Sequence, residues 1–123
     1  VPLIVRWPAK VAAGSSCSDL IDISDIFPTL CSCAGLEPGN DLHGQSFFPQ
    51  LEGRQGVPRS WVFMQNEAGY YIRDKNWIID SKGKVRPTAR LDLTPAPVQN
   101  KFTEPQKKQI SKLRKELKNL LKK

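Results

Sequence analysis

Val1-Pro2-Leu3-Ile4-Val5-Arg6-Trp7-Pro8 opens the chain with an apolar run that stops at a proline. Residues 2–6 read as a β-strand, because aliphatic side chains fall on both of its faces. A strand that is apolar on both faces belongs inside a parallel sheet with a layer on each side. Neither an initiator Met nor a turn stands ahead of it. The expectation is therefore the back end of a larger α/β protein.

Outward from this strand the pieces are short. Ala12 to Ser18 is a small, polar loop, and Asp19-Leu20-Ile21 is a brief extended piece. Asp22 to Leu30 opens a helix. Asp22 or Ser24 can cap it, and Asp25 suits its positive N-terminal end. Pro28 falls about one turn in, where a missing N–H is tolerated. Ile26, Leu30 and Cys33 share one face, and Gly35 supplies the left-handed residue that ends the helix. Residues 36–60 read mostly as loop, with a turn cluster at Glu37–Asp41 and a hydrophobic tether from Gly44 to Leu51.

A different pattern follows. Trp61–Met64, Tyr70–Arg73, Asn76–Asp80 and Arg90–Leu93 read as four strands joined by short turns, which makes an antiparallel meander. Thr94 to Phe102 is a linker. Thr103 and Gln106 then form a capping box for a helix over 104–122. Ile110, Leu113, Leu117, Leu120 and Leu121 make its apolar stripe, which should lie on the meander, with Trp77 and Ile79 on the packed face. This gives two parts: 1–58, a strand, helix and loop, and 59–123, an α+β piece with a small antiparallel sheet and a terminal helix.

Composition narrows the function. The net charge is +7, but residues 103–123 hold eight Lys/Arg against two acids, so the body is nearly neutral and one helix is lysine-rich. No run approaches the roughly 20 apolar residues that span a bilayer. Cys17, Cys31 and Cys33 are an odd number, and no Cys-x-x-Cys is present. With His43 the only histidine, the ligands for a zinc site are too few. The thiols read as small apolar side chains.

Three further groups of polar residues invite a functional reading and have a plainer one. His43 sits in a loop where a lone histidine is structural. Asp19, Asp22 and Asp25 are spaced like a carboxylate cluster but are explained by helix capping. Gln65, Asn66 and Glu67 end a strand and read as solvated turn residues.

The order of pieces matters more than any one of them. Val-Pro-Leu-Ile-Val-Arg-Trp-Pro is followed by Asp19-Leu-Ile-Asp-Ile-Ser-Asp-Ile-Phe-Pro-Thr-Leu30 and by Ala34-Gly35-Leu36. Next come His43-Gly44-x-Ser46-Phe47-x-Pro49-x-Leu51-x-Gly53 and the strand series. This resembles the C-terminal third of the sulfatase family, within the alkaline-phosphatase-like superfamily, over residues 1 to about 93. The resemblance implies a large α/β enzyme that hydrolyses sulfate esters, periplasmic or secreted, with a small C-terminal subdomain. It also implies a formylglycine nucleophile, made in a Cys/Ser-x-Pro-Ser-Arg motif, and a calcium ion held by Asp and Asn oxygens. None of the three cysteines stands in that motif. No catalytic, cofactor-binding or metal residue is therefore carried over, and this segment is expected to be inactive alone, with the rest of the same chain as its partner. Two other readings remain: a related phosphoesterase or phosphonate hydrolase, and a basic module that uses the Lys-rich helix on nucleic acid or anionic lipid.

Overall fold

The computed structural model describes residues 3–88 and 97–122. The chain forms two compact units, Val1–Arg59 and Ser60–Lys123.

In the first unit every regular element is helical. Of the strand expected over 2–6, residues 3–7 carry no ladder, and residue 2 lies outside the described residues. A strand exists by pairing, and no described residue of this unit offers a strand edge. Trp7 instead stacks on Phe48, with ring centroids 6.1 Å apart. A 3₁₀ turn at Ile23–Asp25 leads into α1, Ile26–Cys33. Asp22 caps the turn, its Oδ1 accepting the Ser24 N–H at 2.9 Å. Gly35 closes α1 at φ 70°. There the Leu36 N–H reaches the Cys31 carbonyl at 2.9 Å and the Gly35 N–H reaches that of Ser32, a Schellman end. The hydrophobic tether contains one further helical turn, α2, Phe48–Leu51. Four residues are too few for a helical period to appear in the sequence.

The face formed by Ile26, Leu30 and Cys33 exists as expected, but nothing described covers it. With Leu3, Val5 and Phe47 it lines an open apolar groove of about 480 Å³. Leu30 remains 60% exposed. The covered side of α1 carries Pro28 and Thr29 instead.

The second unit is the antiparallel meander. Its strands are β1 (Val62–Asn66), β2 (Gly69–Arg73), β3 (Trp77–Asp80) and β4 (Val85–Pro87), in that spatial order. The strand Val85–Pro87 was not expected, because Val-Arg-Pro reads as loop; its Pro87 is tolerated on an edge. Arg90–Leu93 lies outside the described residues. Register places Phe63, Ile72, Ile79 and Val85 in one row across the sheet. That row joins Ile110, Leu113 and Leu117 of α3, Glu104–Leu120, in one core. Trp77 and Ile79 are buried as expected, at 5% and 1% exposure. Gln106 Oε1 accepts the Thr103 N–H at 2.9 Å, the reach-back half of the expected capping box. The helix ends at Leu120, short of 122, so Leu121 leaves the stripe and is half exposed.

Polar contacts fix how α3 meets β3. Trp77 Nε1 donates to Gln109 Oε1 at 3.3 Å, and Gln109 Nε2 donates to Asp74 Oδ2 at 3.1 Å. Asp74 Oδ1 also accepts the N–H groups of Asn76 and Trp77, each at 2.7 Å, which shapes the β2–β3 turn. Phe102 meets Trp77 edge-on at 5.5 Å.

Candidate functional site

The densest polar centre is in the first unit, around Asp25, which is 1% exposed. It sits at the end of the 3₁₀ turn, where the backbone brings three other segments to it. Its Oδ2 accepts the Asp22 N–H at 2.9 Å and Arg59 Nε at 2.7 Å. Its Oδ1 accepts the Gln45 N–H at 2.8 Å and Arg59 Nη2. The Arg59 fork is bidentate, the strongest geometry for this pair, and Nη2 also reaches the His43 carbonyl at 3.0 Å. Below it, Thr29 Oγ1 donates to the Asp25 carbonyl at 2.7 Å and accepts the Phe47 N–H at 3.0 Å. This close approach requires Gly44: a Cβ there would overlap the Ser24 carbonyl.

The electrostatics follow from this geometry. Burial pushes the Asp25 carboxyl up, but hydrogen bonds from Arg59, Asp22 and Gln45 outweigh it and hold the group below its ordinary value. Asp25 raises the Arg59 guanidinium in turn, against its burial. Four donors converge on two carboxylate oxygens, and none of them lines the apolar groove beside α1. Asp25 is thus a tie between α1, the 43–47 segment and Arg59, without an oxygen presented to a substrate.

The other residues singled out in the sequence do not converge. His43 contributes its carbonyl, and its side chain is exposed. Asp22 caps, and Asp19 is half-buried. Gln65, Asn66 and Glu67 are exposed, and Asn66 Oδ1 accepts the Ala68 N–H at 3.0 Å in the β1–β2 turn. The three cysteines are free. Burial and the nearby Glu52 charge push the Cys33 thiol up, away from a nucleophilic thiolate. Among the described residues, no three His, Cys, Asp or Glu side chains are grouped to hold a metal, and no helix is long and apolar enough to cross a membrane. Arg59 was the residue missed in the sequence: a lone arginine 34 positions from its partner leaves no local signal.

Comparison with known proteins places these features. The family described as N-sulphoglucosamine sulphohydrolase, C-terminal, matches residues 1–123. An ulvan-active sulfatase of Formosa agariphila is 35% identical over 63 residues, 51% of this chain and 13% of that protein. An N-acetylglucosamine-6-O-sulfatase of Bacteroides thetaiotaomicron is 37% identical over 71 residues, 58% of this chain and 12% of that protein. Human arylsulfatase H is 33% identical over 79 residues, 63% of this chain and 14% of that protein. The matched stretches thus span about an eighth of these relatives. No solved structure matches the chain. A helix-and-loop unit tied by Asp25 and Arg59, followed by a four-stranded meander under a terminal helix, is the form this family takes here: the chain belongs to the N-sulphoglucosamine sulphohydrolase C-terminal family and is a C-terminal sulfatase portion.

Proposed function

We propose that the complete protein hydrolyses sulfate esters of saccharides, and that this chain is structural within it. Residues 1–58 would end the main α/β domain and residues 59–123 would form the C-terminal subdomain. The observation that carries this is the family match along the whole chain. The saccharide class is supported by relatives named for ulvan and for N-acetylglucosamine 6-O-sulfate. Calcium and a formylglycine nucleophile belong to this reading, but the residues present do not fit either group. No cysteine stands in the motif, and no ligand set is grouped among the described residues. No step is derived through them. The apolar face of α1 is read as the surface on which the rest of the same chain packs, since exposed patches of this kind mark interaction sites.

The test is sulfate release from sulfated saccharides and an aryl sulfate by the complete protein, beside the 123-residue chain. The complete protein should release sulfate, and the chain should stay at the buffer rate, with or without calcium. Hydrolysis of phosphonates or phosphate diesters in place of sulfate esters would favour the related phosphoesterase. Turnover by the chain alone would overturn its structural role. The free-standing basic module is not favoured, because the apolar stripe of α3 is spent in the core of the second unit.

A further inference from the structure

We propose that the outward face of α3 is a binding surface for a sulfated polysaccharide. The choice of occupant rests on the sulfatase reading above; the surface itself rests on charge. Lys108, Lys112, Arg114, Lys115 and Lys118 are all exposed. At about 100° per residue they fall within one arc of roughly 160°, turned away from Ile110, Leu113 and Leu117.

Folding does not ask for this arrangement. Glu104 stands four residues before Lys108 and Glu116 four after Lys112, but Lys108 and Lys112, and Arg114 and Lys118, are like charges at the same spacing. Each such pair costs a helix about 0.2–0.5 kcal/mol. Among the described residues the ion pair on this helix is Lys107 with Glu104, at 2.6 Å, in the first turn. Among the described residues, the other cations along this helix of about 25 Å have no acid in salt-bridge contact. A linear polyanion with charges spaced along one side would neutralise them together, and the gain would come from released counterions, as on any charged polymer. The arc carries no aromatic side chain on which bases could stack, which favours a glycan over single-stranded nucleic acid.

The experiment measures affinity of the 123-residue chain for immobilised dextran sulfate at about 50 and 200 mM salt, with unsulfated dextran and duplex DNA as probes in parallel. Binding should fall steeply with salt and be absent on unsulfated dextran. The triple variant K108Q/K112Q/K115Q should bind at least ~10-fold more weakly, given the counterion release lost with three cations. K82Q/K84Q, in the exposed β3–β4 turn, should change affinity less than ~2-fold. A helical circular-dichroism spectrum of the triple variant, matching the unaltered chain, secures the comparison. K108R/K112R/K115R should restore binding. Unchanged affinity in the triple variant overturns the proposal, as does equal or tighter binding of duplex DNA. Failure here, with sulfate released by the complete protein, would remove this surface and leave the proposed function intact.

Discussion

The two units solve the burial problem in opposite ways. Among the described residues, the second buries eight apolar side chains in its core and leaves Met64, Val98 and Leu121 as its exposed large ones. The first buries Phe47 and exposes nine, from Leu3 and Ile4 to Leu36 and Val57. Its fully covered side chains are Asp25 and Pro28. Apolar burial stabilises by about 25 cal/mol per Å², whereas a buried ion pair must first repay the desolvation of both charges. The second unit therefore draws stability from its core. The first draws geometry from its polar centre and leaves its apolar face unused. Order and stability are separate properties, and this chain divides them between its halves.

The largest expected break of that contrast is Asp25→Ala. It strands the Arg59 guanidinium, whose side chain is 14% exposed, with no compensating charge. Removing one partner of a buried pair costs about 3–5 kcal/mol. Hydrogen exchange should quicken across α1 while the amides of Ile72 and Ile79 keep their protection. Equal loss in β2 and β3 would mean that the polar centre also supports the second unit, and the contrast would fail. Without any substitution, Leu3–Val5 should exchange far faster than Trp77–Ile79, because residues 3–7 have no ladder.

Leu117→Ala probes the other side of the comparison. Leu117 lies in the core, 9% exposed, against the sheet. Truncation there should cost about 2–4 kcal/mol, as lost transfer energy plus a cavity. The urea midpoint of the second unit, followed by Trp77 protection, should fall accordingly. A midpoint that ignores the change would mean that α3 is free of the sheet.

These two residues also show what the sequence could reveal. Leu117 sits in a stripe with helical period, so its burial, the helix and the first three strands beneath it were legible from spacing alone. So was the Ile26–Leu30–Cys33 face, although spacing cannot say whether anything covers a face. Arg59 was not legible, because a guanidinium meets Asp25 through tertiary structure and carries no period. The strand expected at 2–6 is a related case: its composition states a preference for a sheet, and pairing requires an edge that no described residue of this unit provides. The family was legible from the order of short motifs, where composition and charge alone pointed elsewhere.

A smaller effect should appear with acid. The Asp25 carboxyl is held below its ordinary value in the folded chain. Its contribution is therefore complete above the range in which an unfolded carboxyl titrates, and is lost as pH falls through the lower, folded value. Protection of α1 should be flat from pH 7 to about 5 and should drop below about 4. Asp25→Asn should remove that drop and leave a uniformly weaker α1. A first unit whose protection instead rises toward acid would contradict the sign of the shift.

The smallest effect expected is that of Lys112→Ala on stability, and it is informative because it is small. Lys112 is exposed and lies on the arc opposite the core. Exposed charges contribute little, alanine is a slightly better helix former, and the change removes the repulsion with Lys108. The midpoint should stay within about 0.5 kcal/mol, or rise slightly. Polysaccharide affinity should move the other way, falling with Lys112→Ala and holding with Leu117→Ala wherever the helix still forms. Two surfaces of one helix would then separate cleanly, the inner one setting stability and the outer one setting binding. If Lys112→Ala instead destabilises by as much as Leu117→Ala, the lysine face is packed, and both the contrast between the units and the polyanion surface must be redrawn.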